Sequence, residues 1–571
     1  MEVDRHRAQI DAINVFPVAD GDTGTNLAMT LRAMADRPAS SGSFGAMITS
    51  ISESGLAHAH GNSGLIFASY INGMAQEGKS YEEVDLSQFA SVAHRAVGYI
   101  NKAISEPVEG TMVTVIREWA DFLLNNHHKF DSFEELLKQA YDIAIISLNK
   151  TTEKLAVLKK FNVVDAGAAG FVRFLKGINA IFSSAAPEEE EETPAEDLFQ
   201  NSEDQISSHR YCMEILTSDF GKVYDCAREK LERLGDSVIL SHGGNKTRIH
   251  IHTDSPQEVH ELLKGNGSIL EEKVDDMALR MRILHHRKGD IALVTDSIAD
   301  IPDDMILESQ IHQVPLSVVV DGVPYLDKQT IGLARLFDLI AHSESYPTSS
   351  QPDPEKVEEM LEYLTEHYRS VIAITVAGKL SGTLGVFRAA AEKAALQGYR
   401  VSVIDSKLNS GAQGLLVKMA AELIEAGCDH DEIVARINEA IPRTRIFVCL
   451  DTIENAVRGG RVPNTVGKLG IAVGARPIMT IDPTGKGTAF GVGFSKEGMS
   501  RKIFRLANKI NKEKGIASYS IVHAQNPAMA REYEEYMIRL VGSKAKFITE
   551  ISSVTAIHSG QGCVALSIME K

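Results

Sequence analysis

Positive charge is what this chain is short of. Its 571 residues carry 59 Lys and Arg against 77 Asp and Glu, a formal net charge of −18. Nucleic-acid backbones demand clustered Lys and Arg, so a nucleic-acid partner is disfavoured. Any phosphate chemistry must then lean on a metal ion and on local amides. Cysteine is also scarce: Cys212, Cys226, Cys428, Cys449 and Cys563 are odd in number and scattered. That argues against a disulfide framework and for a reducing compartment. No run approaches the roughly 18 apolar residues of a membrane span. Met1–Arg7 carries no apolar signal segment, so a cytoplasmic address is expected. No Gly-x-Ser-x-Gly elbow surrounds Ser381, which argues against a serine hydrolase. At this length about three or four domains are expected.

What the chain does have begins at Asn14-Val-Phe-Pro-Val-Ala-Asp20-Gly-Asp22-Thr23-Gly24-Thr25-Asn26. Two carboxylates two residues apart, on a backbone loosened by glycine, can aim at one point. Hard divalent cations such as Mg²⁺ take oxygen ligands of this kind and share them with substrate phosphates. The helix start that follows would suit a phosphate oxygen, with Thr23 and Thr25 beside it. The same residues also suit an Asx-rich turn with an N-cap. Up to about residue 182 the chain reads as helix after helix, with apolar residues at three- and four-residue spacing in 27–34, 47–56, 89–104, 111–124, 133–148 and 168–182. Three further loops put glycine and polar groups at helix starts: His60-Gly61-Asn62-Ser63-Gly64, Glu109-Gly110-Thr111-Met112 and Val164-Asp165-Ala166-Gly167-Ala168-Ala169-Gly170. Each alone suits an ordinary cap; four in one bundle are better explained by a shared nucleotide site.

In this order the four motifs resemble the DhaL-type nucleotide-binding domain of dihydroxyacetone kinases, and more closely the kinase component of bacterial fatty acid kinase. The resemblance covers about 1–182 and implies an all-α helical barrel that binds ATP through Mg²⁺ on Asp20 and Asp22, with Asn14 a weaker ligand. It assigns nucleotide contacts to Thr23, Thr25, Asn26, Gly61, Asn62, Ser63, Gly64, Gly110, Thr111, Met112 and Asp165. Two departures are visible. Thirteen residues precede Asn14 where the family has a longer helical segment, so either the first helix is short or the start is misplaced. Ala166 and Ala168-Ala169 stand where the family tends to have serine and Gly-Gly-Lys.

Residues 183–208 form an acidic, proline-bearing run that reads as a flexible linker. Strand-like alternation follows. Tyr211–Leu216, Asp236–Leu240 and Thr247–Thr253 read as strands, with a helix near 223–234. Side chains alternate along a strand, so His250 and His252 share a face. With Cys212 on a neighbouring strand they form a set suited to Zn²⁺, while composition alone favours two half-exposed histidines and a small buried cysteine. The segment 209–286 resembles the middle domain of fatty acid kinase, a small α+β domain. That resemblance makes Cys212, His250 and His252 zinc candidates.

From 290 the chain alternates strand and helix patterns, an α/β segment with a parallel sheet expected and ligands beyond the strand ends. An arginine-rich turn, Arg458-Gly459-Gly460-Arg461, offers bidentate donors for phosphate or carboxylate. Thr295-Asp296-Ser297, Thr348-Ser349-Ser350-Gln351-Pro352, Ser381-Gly382-Thr383, the stretch 450–461 and His558-Ser559-Gly560-Gln561-Gly562 look together like the DegV family of fatty-acid-binding proteins. The resemblance spans about 287–571 and implies a two-lobed α/β protein, lobes 287–441 and 442–571, with a buried acyl tunnel. It places the fatty acid carboxyl group among Ser349, Ser381, Gly382, Thr383 and His558, with Arg458 or Arg461 near the phosphate. Gln561 stands where the family has proline.

The resemblances together imply a fused fatty acid kinase, in which ATP and a carrier-bound long-chain fatty acid give ADP and acyl phosphate for phospholipid synthesis. Asp20, Asp22, Arg458, Arg461 and His558 would carry the reaction, and an acyltransferase or a membrane surface would receive the product. A homodimer is a further assembly that the sequence leaves open. Two other readings stay open: a dihydroxyacetone or polyol kinase, and a non-catalytic lipid-binding sensor.

Overall fold

The computed structural model describes residues 2–36, 42–182, 208–220, 224–459 and 476–571. The expected linker, apart from Ser208, and Arg461 lie outside the described residues. The chain divides into two compact units, Met1–His286 and Arg287–Lys571.

The first unit opens with ten helices: α1 (Glu2–Arg5), α2 (Arg7–Ala12), α3 (Thr23–Asp36), α4 (Phe44–Ala57), α5 (Gly61–Gly78), α6 (Leu86–Ala103), α7 (Met112–Asn126), α8 (Phe133–Lys154), α9 (Ala156–Phe161) and α10 (Ala166–Phe182). Neighbours from α3 to α8 pack pairwise, α8 meets α10, and α10 returns to α3, which closes a ring. The short α1 and α2 pack on α3 and α10. Local signals start several of these helices. Asp85 and Gln88 form a reciprocal capping box on α6. Ser132 caps α8. The apolar stripes meet inside the ring, where the chain's single tryptophan, Trp119, lies edge-on to Phe171 at 5.9 Å and Phe67 edge-on to Phe174 at 4.9 Å. Full burial of each such side chain contributes roughly 1.5–3 kcal/mol.

After the ring come β1 (Tyr211–Ser218), α11 (Tyr224–Leu231), β2 (Gly235–Gly243), β3 (Lys246–Thr253), α12 (Pro256–Lys264), β4 (Ser268–Asp276) and α13 (Met277–His286). The sheet order is β2-β3-β1-β4, with β1 antiparallel to both β3 and β4. Its β2 side packs on α4, α5 and α6. Asn72 donates to the carbonyl of His242 at 2.8 Å, and Ser105 to that of Val238 at 3.1 Å.

The second unit holds a parallel sheet of β5 (Ile291–Asp296), β6 (Ile311–Val314), β10 (Ser370–Thr375) and β11 (Val401–Asp405), ordered β11-β10-β5-β6. A small sheet, β8-β7-β9, is made by β7 (Ser317–Val320), β8 (Val323–Leu326) and β9 (Thr348–Ser350). A six-stranded sheet, β14-β13-β12-β17-β15-β16, is made by β12 (Thr444–Cys449), β13 (Arg476–Ile481), β14 (Gly487–Gly493), β15 (Ile516–His523), β16 (Ile548–Glu550) and β17 (Val564–Glu570). The helix Ser410–Glu425 packs on β5 and β10 of the first sheet and on β12, β15 and β17 of the last. Gly411 makes this possible: a side chain there would press on Ser520, Ser567 and Val522, at 2.9–3.0 Å. The multidomain architecture is the one expected, with a helical first region, a small α+β middle region and an α/β last region. One stretch differs. The apolar run 311–320 reads by pattern as one strand, but it breaks into β6 and β7 at Pro315, which has no N–H for a ladder bond.

Candidate functional site

The four helix-start loops of the ring converge. Gly61 opens α5 at φ +62°, and a side chain there would collide with the amide of Asn26. Gly167 is the second meeting point. A Cβ on it would lie 2.8 Å from Ser63 Oγ, 3.1 Å from Met112 Cε and 3.4 Å from Asp165 Oδ1. A cleft at this end is lined by Asn14, Asp20, Asp22, Thr23, Asn26, Gly61, Asn62 and Ser63. Its opposite wall is the sheet of the middle region: Cys212, Glu214, His250, His252, Lys273, Asp275, with Arg280 of α13.

Register explains that wall. Cys212 pairs with His252 on one side and Asp275 on the other, and Glu214 pairs with His250 and Lys273. Asp236 of β2 pairs with His252. Directly paired residues share a face, so one face of four strands carries seven chemically active side chains. His250 Nε2 and His252 Nε2 are 3.2 Å apart, and Cys212 Sγ is 3.7 Å from His250 Nδ1. One potential ligand atom from each of the three lies within 4.8 Å of the others. Burial pushes the Cys212 thiol well up, helped by the charges of Glu214, Asp275 and Asp22. His252 is lowered by burial against the pull of Asp236, whose carboxylate lies 3.4 Å from Nδ1.

Glu214 ties the two walls together. It accepts a short hydrogen bond from the N–H of Gly61, lies 3.6 Å from His60 and 3.7 Å from His250, and pairs with Arg248 at 3.3 Å. Burial raises a carboxyl group, but here the hydrogen bonds of His250 and His60 and the Arg248 charge win and hold it well below the usual range. Across the cleft, Asn14 Nδ2 donates to Asp20 at 2.8 Å. Burial and the neighbouring Asp22 push Asp20 well up. Arg280 bridges Asp22 at 2.6 Å and Asp275 at 3.1 Å.

Several expected nucleotide ligands are engaged elsewhere. Thr25 does not line the cleft: its hydroxyl and N–H, with the N–H of Gly24, go to the Asp11 carboxylate. Asp11 thereby caps α3 from α2, and burial pushes it up to about 7. Asp165 accepts from the N–H groups of Met112 (3.0 Å) and Ala168 (2.8 Å), capping α7 and α10 at once, and burial pushes it up to about 6. The N–H of Gly110 goes to Thr114 and the hydroxyl of Thr111 to Val108. Gly64 is a packing position against Thr30 and the carbonyl of Asn26. Asp11, Lys273, Asp275 and Arg280 carry no mark in the sequence motifs. Glu214 alone had a usable signal, since it stands two residues from Cys212 on the same strand face.

In the second unit the expected carboxyl site forms two groups. Ser381 and Thr383 share a 2.8 Å hydrogen bond, and Gly382 is small enough for Gln351 to press against it. Ser349 is not in a loop beyond the parallel sheet, as expected, but on β9, paired with Val318. Its strand pairs antiparallel with β7, the central strand of the small sheet. Elsewhere Gly459 presses on the His558 ring, and Arg458 lies 5.8 Å from the Tyr346 ring centre. Tyr346, two residues before β9, donates to the carbonyl of Ile557 at 2.5 Å and to Asn455 at 3.1 Å, so the stretch bearing Ser349 is tied to the turn bearing His558. Gly560, at φ +78°, lets Asn455 approach that turn.

Comparison with known proteins divides the chain in the same order. Family models match residues 17–180 (DAK2 domain), 208–283 (FakA-like middle domain of fatty acid kinase) and 290–571 (uncharacterised protein, DegV family). A DAK2 domain, a FakA-like middle domain and a DegV domain share this one chain. Similar curated proteins include an uncharacterized protein of Staphylococcus saprophyticus, 32% identical over 302 residues, which are 50% of this chain and 54% of that protein. Protein YloV of Bacillus subtilis is 28% identical over 289 residues, 48% and 52%. The chain thus spans about half the length of the curated relatives it matches. Among solved structures, a fatty acid binding DegV family protein from Streptococcus agalactiae is 23% identical, at 50% of this chain, 99% of that chain and TM-score 0.45. A DegV family protein from Thermus thermophilus, described by its fatty acid binding, is 25% identical, at 49% and 100%, TM-score 0.46.

The donor sets of the DAK2 and middle regions fit two kinds of ion. Asn14 is 2% exposed, and its Oδ1 has no partner among the described residues. With the carboxylates of Asp20 and Asp22 it offers the hard oxygen set that Mg²⁺ takes. Cys212, His250 and His252 offer sulfur and nitrogen, the borderline-soft set of Zn²⁺. Glu214 behind His250 and Asp236 behind His252 are the carboxylates that commonly orient metal-bound imidazoles. Among the described residues no helix is long and apolar enough to cross a membrane.

Proposed function

We propose that this chain is a fused fatty acid kinase, which transfers the γ-phosphoryl group of ATP to the carboxylate of a long-chain fatty acid carried by its DegV domain. The observation that carries the proposal is the cleft itself. Asp20, Asp22, Asn14 and the Gly61–Ser63 helix start face a middle-domain wall of Cys212, His250 and His252. Kinase-type family matches on both walls support the reading, as does a DegV match over the remainder.

In this reading Asp20 and Asp22, with Asn14, hold Mg²⁺, which when bound neutralises charge on the β- and γ-phosphates. Asn62, Ser63 and the start of α5 receive phosphate oxygens. The fatty carboxylate is ionised at neutral pH and needs no general base. Its oxygen forms a bond to the γ-phosphorus as the bond from that phosphorus to the β-phosphate oxygen breaks, giving acyl phosphate and ADP. Positioning and electrostatics supply most of the acceleration. Ser381, Thr383, Ser349 and His558 orient the carboxylate in the DegV domain, with Arg458 and Arg461 assisting. Cys212, His250 and His252 take a zinc ion as ligands.

Incubation of the purified chain with ATP, Mg²⁺ and a long-chain fatty acid, with hydroxylamine as trap, tests the proposal. An acyl hydroxamate is the expected product. Bound fatty acid without turnover would favour a lipid sensor, and phosphorylation of dihydroxyacetone or another polyol in its place would favour a polyol kinase.

A further inference from the structure

The cation that the cleft already holds belongs to the chain. Arg280 Nη1 lies 2.6 Å from Asp22 Oδ2, and its Nη2 lies 3.1 Å from Asp275. Its position is built in. Asp276 caps α13 through the N–H of Leu279 at 2.9 Å, and Arg210 clamps Asp276 at 2.8 Å. Met277 and Met281 on the same helix pack against Val18 and Ala19, the residues that lead into Asp20. The guanidinium is therefore delivered to the aspartate loop by a helix that rests on that loop. Lys273 stands on the far side of Asp275 at 3.0 Å and lines the same cleft.

A divalent cation on Asp22 would sit about 2.0–2.6 Å from a carboxylate oxygen, beside a guanidinium already at hydrogen-bond distance. Two cations so close in a half-buried cleft repel strongly. Nucleotide phosphates brought in with the metal offer the guanidinium a planar bidentate partner in exchange. Resting on the ATP and Mg²⁺ assignment above, we propose that Arg280 is the resident counter-ion of Asp22, exchanged from that carboxylate to the nucleotide phosphates when the metal–nucleotide complex binds.

The exchange makes metal binding depend on nucleotide in a way that needs Arg280. The test measures Mn²⁺ affinity of the full chain by electron paramagnetic resonance, with and without the non-hydrolysable analogue AMP-PNP, for wild type, Arg280→Gln, Arg280→Lys and Asp22→Asn. Arg280→Gln is expected to bind Mn²⁺ alone about tenfold more tightly, the scale of one charge-assisted hydrogen bond removed as competitor. Its gain on adding AMP-PNP should shrink by a similar factor. Arg280→Lys keeps the charge and should stay within about threefold of wild type in metal-alone affinity. Circular dichroism and thermal melting establish that each variant is folded. If wild type binds Mn²⁺ with AMP-PNP and Arg280→Gln leaves either quantity unchanged, the exchange is overturned while the metal assignment stands. If Asp22→Asn binds Mn²⁺ as wild type does, the metal assignment falls and the exchange with it.

Discussion

Glu214 shows how much a single side chain can organise. Its two oxygens serve Gly61 at the start of α5, His60, Arg248 and His250. Arg248 is itself only 2% exposed, so removing the carboxylate would leave its buried guanidinium with the partly exposed Glu271, 3.4 Å away, as its one remaining carboxylate among the described residues. Breaking a buried pair in this way costs on the order of 3–5 kcal/mol. Glu214→Ala should therefore lower the unfolding free energy of the first unit by up to that scale, and Glu214→Gln by less, because Gln keeps an acceptor for Gly61. Urea titrations followed by Trp119 fluorescence would measure both. A Glu214→Ala protein as stable as wild type would mean that the contact network is incidental.

Buried aspartates play the corresponding part for elements of the second unit. Asp300 accepts from the N–H of Ser552 and Asp327 from that of Ser553, each at 2.7 Å. They hold the start of the helix Ser553–Ser559, which carries His558. Asp296 at the end of β5 accepts from Val376 and Ile298. Burial pushes Asp296 and Asp327 each up to about 6. A carboxyl group raised in the folded state binds its proton more tightly there than when unfolded. Its stabilising contribution is full below the unfolded value near 4 and fades as pH rises through about 6. Asp327→Asn removes this dependence while leaving an acceptor for Ser553. The stability of wild type relative to Asp327→Asn should fall by roughly 2–3 kcal/mol between pH 4 and pH 7. Chemical denaturation at several pH values measures it, and a wild type that gains stability relative to the variant as pH rises would contradict the assignment.

The same elements show what sequence could and could not reveal. Helices such as α6 and α7 were legible because their apolar spacing and end signals agree. The strand bearing His250 and His252 was legible from strict alternation, and its pairing with Cys212 is direct. Positions set by distant register were not. Asp275 and Lys273 lie in β4, a strand so rich in charge that it shows no apolar alternation. Arg280 reaches an aspartate 258 positions away, and no local pattern marks that. Asp11 caps a helix that begins twelve residues later, beyond the reach of ordinary capping rules. Thr25, whose type and place suit a phosphate contact, is the group that Asp11 consumes.

At the scale of the molecule, the chain joins a DAK2 domain, its middle domain and a DegV domain. If carrier and kinase serve one another within a chain, a suitable tether raises their effective concentration to the order of mM. In the proposed reading the second part supplies the acceptor for the first. Phosphoryl transfer to the bound lipid is therefore the most direct measurement. Chain carrying fatty acid would be mixed with ATP labelled at the γ-phosphorus, and the lipid fraction counted after rapid extraction, for wild type and for Asp20→Ala/Asp22→Ala. The account predicts label in the lipid fraction for wild type and a loss of at least about a hundredfold in the double variant, on the scale of a lost electrostatic anchor in the transition state, with lipid content unchanged. Label that stays in nucleotide, or appears in lipid equally in both proteins, would contradict it.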